Sequence, residues 1–397
     1  MYRKTFIKIN LDNLGNNVKN ILKKYNNYDY YIGVVKGWAY GHGYYAINEM
    51  IENGINYLAV SCLEEALEIR KFNKNIPILC LEPISLEYIN EILTNNITII
   101  IPNLDYFNEL LSKKIEKNLK IHLKIDSGMH RLGFTKKEEV KQVYDTILKN
   151  KHLELEGIFS HFATIGISDK AWDNQLESFK EITSLIDLNK IKIVHLGRSL
   201  TFLVHPKIDF CNGIRIGLLM YGFNSTPKYS NSFLDKLRLI KINYLKNKYH
   251  ISKTDLNNNL IVKPCLELYS EILQIKHIKI GDYVGYGTGY QAKENSFIAT
   301  IGIGYTDGIA RRNSNRDVII NNKRYPIIGE IGMNMLSIKI DDTVKITDPV
   351  LILGGDISIR EVSYYIGNST YETLAMLPTN LPRLYYKNNE LVYKDND

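Results

Sequence analysis

Val34-Val35-Lys36-Gly37-Trp38-Ala39-Tyr40-Gly41-His42-Gly43 is the stretch on which the reading of this chain turns. The apolar run that leads into it, Tyr31 to Val35, has the continuity of a strand buried on both faces, the kind that builds parallel sheets. It delivers a single lysine. A lysine ending such a strand enters a low-dielectric pocket, where desolvation lowers its pKa and makes it usable as an amine nucleophile or base. The ordinary alternative is a side chain that snorkels from a strand end to solvent. An aromatic four residues on, set among small residues and glycines, sets this lysine apart.

Outward from it, strand-like and helix-like segments alternate. A first strand (about Thr5–Ile9) and a helix-spaced segment (Leu11, Leu14, Val18, Ile21, Leu22) come before. Tyr31–Lys36, Tyr57–Ser61, Pro77–Leu81, Thr98–Ile101, Lys120–Asp126, Leu155–His161, Ile191–Leu196 and Gly213–Gly217 read as strands. Leu63–Phe72, Leu104–Ile115, Lys137–Leu148 and Asp173–Ile186 read as amphipathic helices between them. Such an alternation over about 230 residues predicts a parallel (β/α)8 barrel, here placed at 11–240, with a doubly wound open sheet as the alternative. Barrel enzymes gather chemistry at the C-terminal ends of their strands. Those ends carry Lys36 after the first strand, Asp126 and Arg131 after the fifth, and His161 at the end of the sixth. Ser199 follows the seventh; Arg215 lies on the eighth, with Gly217 just beyond.

The stretch 224–259 turns to Lys, Asn, Tyr and Ser and reads as a junction with an insertion. Beyond it, Cys265–Ile280, Phe297–Ile303, Asp317–Ile320, Tyr325–Ile328, Leu336–Ile340 and Pro349–Leu353 read as short strands. One helix-like stretch, Ile359–Ile366, and the tail Pro382–Tyr393 follow. Residues 260–397, joined by the strand in 1–10, are therefore expected to form a mainly-β second domain. A length of 397 residues also favours two domains.

Composition narrows the function classes. The net charge of +7, 50 basic minus 43 acidic residues, is spread along the chain without the basic stripe a nucleic-acid partner needs. The four cysteines are widely spaced, lack a CxxC pair, and suit a reducing compartment without a zinc or other metal signature. No apolar leader stands at the N-terminus, and no run approaches the roughly 20 residues of a membrane span. A cytoplasmic protein without membrane contact is expected.

The remaining motifs are Leu123-Lys124-Ile125-Asp126-Ser127-Gly128-Met129-His130-Arg131-Leu132-Gly133, Phe159-Ser160-His161-Phe162-Ala163-Thr164, Ser199, Arg215-Ile216-Gly217-Leu218-Leu219-Met220-Tyr221-Gly222, Val284-Gly285-Tyr286-Gly287, Gly304-Tyr305-Thr306-Asp307-Gly308 and Ile328-Gly329-Glu330-Ile331-Gly332-Met333-Asn334. Singly, each has an ordinary reading. An arginine in a glycine-containing loop is usually a surface ion-pair partner, a lone histidine a satisfied core residue, and one tyrosine among 28 carries little weight. As an ordered set behind the lysine motif, they resemble the alanine racemases, pyridoxal-phosphate (PLP) enzymes, over essentially the whole chain.

That resemblance implies roles. Lys36 would hold PLP as a Schiff base and serve as one base. The Tyr40 hydroxyl, Ser199, Gly217 and Leu218 would bind its phosphate, in keeping with the loops after the seventh and eighth strands where barrels often hold phosphate. Arg131 would bond the phenolic oxygen and help hold the substrate carboxylate, and His161 would pack near the ring. Arg215 would face the pyridine nitrogen; a permanently charged guanidinium keeps that nitrogen largely unprotonated and weakens the electron sink. Lys124 matches a lysine that some members carbamylate. Tyr286, supplied by the other subunit of a homodimer, would be the base on the opposite face. A phenol with an ordinary pKa of about 10 needs a hydrogen-bonded neighbour such as His161 to act near neutrality. Tyr305 would line the entrance, and Met333 would offer its backbone N–H to the substrate carboxylate.

Four positions depart from the family pattern: Trp38 and Arg198 where asparagine is usual, Asn334 for aspartate, and Thr379 for a tyrosine near the C-terminal Leu381-Pro382-Arg383. A threonine at 379 would open room beside the phosphate. The expected activity is racemisation of alanine by a two-base mechanism. A racemase preferring serine or a larger amino acid is the near alternative, and a non-catalytic PLP-binding protein the more distant one. The second domain with Tyr286 argues for catalysis. A barrel-plus-β-domain decarboxylase would need a glycine-triplet phosphate loop and a cysteine-centred site, and neither is found.

Overall fold

The computed structural model describes residues 3–165, 169–224, 237, 240–242, 244 and 260–395. The predicted insertion at 224–259 lies largely outside the described residues. Two compact units emerge: one comprises Gly15–Lys36 and Ile47–Val262, the other Met1–Leu14, Gly37–Ala46 and Lys263–Asp397.

Strand β1 (Phe6–Asn10) belongs to the second of these. The first unit is a barrel of eight parallel strands: β2 (Tyr30–Val34), β3 (Tyr57–Val60), β4 (Ile78–Cys80), β5 (Ile97–Ile101), β6 (Leu119–Lys124), β7 (Leu153–Phe159), β8 (Ile193–His195) and β9 (Gly213–Ile216). They lie in the order β8-β7-β6-β5-β4-β3-β2-β9, with Tyr30 opposite Gly213 where β2 meets β9. All eight strand readings hold; most of these strands are buried on both faces and so read as continuous apolar runs, every residue of β3 and β5 being buried, whereas β6 and β7 alternate polar with apolar residues. Burying each branched side chain in these runs contributes roughly 1.5–3 kcal/mol. The helices Leu63–Phe72, Leu104–Ser112, Lys137–Lys149 and Ala171–Ile182 match the predicted ones to within a few residues. Asn103 caps one of them, its side chain accepting the Tyr106 N–H at 2.8 Å.

No strand ladder joins β8 to β9; Asn212 closes the seam instead. Its side-chain oxygen accepts the Val194 N–H at 2.9 Å and its amide donates to Lys192 O at 2.8 Å, while its backbone N–H reaches Val194 O at 3.2 Å. An asparagine amide copies the donor–acceptor pair of a peptide, so one residue stands in for a missing ladder.

The second unit is a ten-stranded sheet. Its further strands are β10 (Leu266–Ser270), β11 (Ile272–Ile278), β12 (Ser296–Ile301), β13 (Asp317–Ile320), β14 (Lys323–Ile328), β15 (Leu336–Ile340), β16 (Val350–Leu353), β17 (Arg383–Lys387) and β18 (Glu390–Lys394). β1 runs antiparallel to β10 and parallel to β17. Asn321 and Asn322 turn β13 into β14 with φ of 49° and 63°, the conformation a two-residue hairpin needs and asparagine tolerates. The apolar run Cys265–Ile280 breaks at Glu271 into two strands, and a second helix, Thr370–Ala375, follows Ile359–Ile366. That helix starts on Ser369, whose hydroxyl accepts the Glu372 N–H at 3.2 Å. Six residues are too few to show a period.

Candidate active site

The C-terminal rim of the barrel carries the polar residues read from the strand ends. Val35 is tied to Ala59 O at 2.9 Å, and half-buried Lys36 follows it. Lys124 ends β6, buried, with its ammonium 4.7 Å from the centre of the Phe159 ring. Burial, reinforced by Arg215 and Arg131 and opposed by Asp126, brings its pKa down to about 7. Asp126 shapes the loop beyond. Its carboxylate accepts the N–H groups of Gly128, Met129 and His130 at 3.0, 3.0 and 2.9 Å, and that of Arg131 at 3.1 Å. Burial pushes its carboxyl up, but those N–H groups outweigh it and leave the group below the ordinary range. The Arg131 side chain is exposed.

Arg215 is buried and held from several sides. It donates to His195 Nδ1 at 2.5 Å, to the carbonyls of His195, Ser160 and Leu196 at 2.9, 2.7 and 2.8 Å, and faces His161 Nδ1 at 3.2 Å. None of these partners is a carboxylate. Burial lowers its pKa to about 9, so it is still charged at neutrality. Burial, and then the cations Arg215, Lys124, Arg198 and Arg131, pull the His161 pKa far down and keep that ring neutral. Buried Ser199 accepts the Gly217 N–H at 3.0 Å, joining the loops after β8 and β9, and Leu218 is buried beside it in sequence. Arg198, noted only as a departure, contributes a further cation: its Nε is buried and meets no acceptor among the described residues.

Lys36, Lys124, Arg131, His161, Ser199, Arg215, Gly217 and Leu218 thus all fall in the barrel unit. Tyr40 falls in the other. It ends a single turn of left-handed helix, with φ of 63°, 54°, 53° and 52° at Gly37, Trp38, Ala39 and Tyr40 and a Gly41 N–H bond to Gly37 O at 3.0 Å. Left-handed backbone costs roughly 1–2 kcal/mol for each residue with a side chain. Asparagine, usual at position 38, tolerates this region; Trp38 does so less readily and packs on Tyr44 with ring centres 4.6 Å apart. The turn is clamped by β17. Arg383 donates to Gly41 O at 2.9 Å and Tyr385 to His42 O at 3.0 Å. A Cβ on Gly43 would stand 2.0 Å from the Tyr385 hydroxyl, so only glycine admits that contact. The Tyr40 ring lies 6.0 Å from that of Tyr371.

Tyr286, Tyr305 and Met333 collect on the β unit. The Tyr305 N–H bonds Gly332 O at 3.1 Å, the Thr306 N–H bonds Met333 O at 3.1 Å, and a Cβ on Gly332 would be 3.6 Å from the Tyr286 ring. All three side chains are exposed, Tyr286 most of all at 71%. Asn334 explains itself here. The Thr306 hydroxyl gives its proton to Met333 O at 2.9 Å, so its neighbour must donate, and Asn334 does at 3.0 Å; an aspartate could not. Thr379 exposes its side chain, and its carbonyl accepts from Arg383 at 3.3 Å.

Sequence reasoning passed over His122, Glu156 and His195, which lie buried in the barrel bore. The one signal was the alternation of Lys120, His122 and Lys124 along a strand otherwise apolar. Among the described residues, no group of three His, Cys, Asp or Glu side chains is placed to hold a metal, and no helix is long and apolar enough to cross a membrane.

The profile of the alanine racemase N-terminal domain matches residues 9–225, and that of the alanine racemase C-terminal domain matches 265–385. The alanine racemase of Clostridium kluyveri is 32% identical over 98% of this chain and 96% of its own length. That of Listeria innocua serovar 6a is 33% identical over 97% of this chain and 98% of its own. Among solved structures, Bacillus anthracis alanine racemase with bound L-Ala-P superposes with a TM-score of 0.86 at 30% identity, covering 100% of this chain and 98% of that one. Clostridium difficile 630 alanine racemase gives 0.84 at 30% identity, covering 100% and 99%.

Proposed function

The chain belongs to the alanine racemase family, and from that premise we propose that it is a PLP-dependent racemase interconverting L- and D-alanine. One observation carries the cofactor assignment. The barrel rim gathers Lys124, Arg131, Arg198 and Arg215, while the Asp126 carboxylate beside them is taken up by backbone N–H groups. Such a rim, with a buried guanidinium nitrogen lacking an acceptor among the described residues, suits an anionic ligand of phosphate and phenolate character.

In this reading the barrel region, 11–240, carries the cofactor, and the β-rich region, 260–397 with 1–10, supplies the second base. When bound, PLP supplies an electron-withdrawing ring that spreads the charge left by a departing α-proton. Lys36 would hold it covalently, and Tyr40, Ser199, Gly217 and Leu218 would bind its phosphate. Arg215 would face the ring nitrogen as a group that gives up no proton, and so would keep the ring a weaker electron sink. Lys36 would move the α-proton on one face, and Tyr286 of the partner subunit would move it on the other. The exposed Tyr286–Tyr305–Met333 patch favours a homodimer that covers it, with Met333 offering its N–H to the substrate carboxylate. Neutral His161 is suited to accept from or donate to the Tyr286 hydroxyl.

Lys124, with its pKa near 7, has at neutral pH the free amine that adds CO₂. The resulting carbamate would replace a cation by an anion beside Arg131 and Arg215. The exposed Thr379 side chain keeps open a preference for serine or a larger amino acid.

The test is incubation of PLP-loaded protein in D₂O with single L- and D-amino acids, followed by chiral separation. Deuterium uptake with inversion of alanine is expected, with serine and larger substrates slower; preferential inversion of serine would move the assignment to the second reading. Lys36→Ala should abolish covalent cofactor and exchange together. Tyr286→Phe should slow removal of the α-proton from one enantiomer far more than from the other. Equal small effects would reject its role, and PLP bound with no exchange would leave a cofactor-binding protein.

A further inference from the structure

A line of hydrogen-bonding side chains runs down the bore of the barrel from Arg215. Arg215 donates to His195 Nδ1 at 2.5 Å, and His195 Nε2 meets His122 Nδ1 at 3.0 Å; His122 Nε2 lies 3.5 Å from Glu156 Oε2, a charge contact rather than a formed hydrogen bond. Glu156 also accepts the Tyr57 hydroxyl at 2.7 Å and lies 3.2 Å from both Lys120 and Lys192. The Thr98 hydroxyl, 2.8 Å from that of Tyr57, completes the cluster. Glu156, His122 and His195 are buried, whereas the Lys120 and Lys192 side chains reach solvent.

Proton counting fixes the direction of every link. A guanidinium only donates, so His195 Nδ1 must be bare and its proton must sit on Nε2. That proton points at His122 Nδ1, which must therefore also be bare. The His122 proton is then on Nε2, on the side of the Glu156 carboxylate, whose Oε2 lies 3.5 Å away. Burial, and for His195 the charge of Arg215, keeps both rings neutral, while Tyr57, His122 and the lysines hold Glu156 ionised against its burial. Gly157, next to Glu156 on β7, makes room for this line: a Cβ there would stand 2.4–2.7 Å from three atoms of the His122 ring.

We infer that Glu156 is a positioning residue for the reaction, acting through His122 and His195 to orient Arg215 and to set how strongly it donates. An anion at the far end of a chain of aligned donors polarises each successive bond, leaving His195 Nδ1 more basic and Arg215 less demanding toward the other groups it meets. Within the barrel those groups include His161 Nδ1, 3.2 Å away. For the ring nitrogen of PLP the inference rests on the reading proposed above; for His161 it does not.

The test therefore has two arms, in wild type and in Glu156→Gln, which keeps the shape and an acceptor oxygen but removes the charge. In the cofactor-free full chain, ¹⁵N NMR of labelled histidine should show His122 and His195 as neutral Nε2–H tautomers with a coupling across the N–H···N bond. Glu156→Gln should shift His195 Nδ1 and His161 Nδ1 together while the circular dichroism stays that of wild type. In the PLP-loaded enzyme, the same variant should raise the fraction of turnovers lost to half-transamination above that of wild type. A purely structural Glu156 would lower stability and move none of these. A folded Glu156→Gln with unmoved His195 and His161 resonances, or an Nδ1–H tautomer at His195, overturns the inference. Should Glu156→Gln fail to fold, Lys120→Gln with Lys192→Gln alters the field at Glu156 from the solvent end and must move the same resonances. A protein that shows the resonance shifts but no racemisation would refute the proposed activity and leave the relay standing.

Discussion

Acid should unload this fold through its histidines before it touches the carboxylates. His42, His122, His161 and His195 all have lowered pKa values with burial as the largest cause, His42 to about 4 and His195 well below the ordinary value. In the unfolded chain each returns to about 6.5. A group whose folded pKa is depressed binds fewer protons folded than unfolded, so stability falls as pH drops below about 6.5 and keeps falling until the folded values are reached. At pH 5.5 an unfolded histidine is about 0.9 protonated, and His42, His161 and His195, whose folded rings stay neutral there, give an uptake of about 2.7 protons on unfolding, equivalent to a slope of roughly 4 kcal/mol per pH unit. Asp126 and Glu156 are silent there, since the stability held by a depressed carboxyl is lost only below its unfolded value, about pH 4. The assay is potentiometric: cofactor-free protein is unfolded by urea in weakly buffered solution at pH 5.5, with pH 8 as reference. Uptake of one proton or fewer would refute the claim that these rings are buried neutral.

Two further substitutions probe the loops that hold the rim and the turn. Gly133 has φ of 125°, and a Cβ there would meet Asp126 N at 2.5 Å and Ile125 C at 2.6 Å, so Gly133→Ala should destabilise by roughly 2–4 kcal/mol and speed hydrogen exchange at Gly128–Arg131. Unchanged exchange there would show that Asp126 does not organise the loop. Arg383 is fully buried and donates to the carbonyls of Gly41, Pro378, Thr379 and Leu381. Arg383→Met should lower stability by roughly 3–5 kcal/mol, read as a fall in the thermal midpoint, and Arg383→Lys should restore little because a single ammonium cannot serve a fork of acceptors.

The barrel was legible because most of its strands are continuous apolar runs of limited length, and the helices Leu63–Phe72 and Lys137–Lys149 because ten or more residues show a period. Thr370–Ala375 shows none; only its Ser369/Glu372 cap could have found it. The rim positions followed from counting strand ends once a barrel was assumed. The left-handed turn did not, because Trp38 stands where an asparagine would have announced it. Nor did the contact in the bore: His122, Glu156 and His195 come from the neighbouring strands β6, β7 and β8, and only their pairing, with Gly157 leaving room between, brings His122 within 3.0 Å of a residue 73 positions away.

The pairing of β1 with β10 and β17 sets an order of assembly during synthesis. β1 is made well before both of its neighbours, which begin at Leu266 and Arg383. At about 5–20 residues per second, β1 waits roughly 20 to 75 seconds for its last partner, while the barrel strands have theirs close behind them. The turn after Lys36 waits as long, since Arg383 and Tyr385 hold the carbonyls of Gly41 and His42. A chain that stops short of residue 383 can therefore complete its barrel and still lack the clamp on that turn. Removing the residues from Arg383 onward would leave the carbonyls of Gly41 and His42 without these two donors.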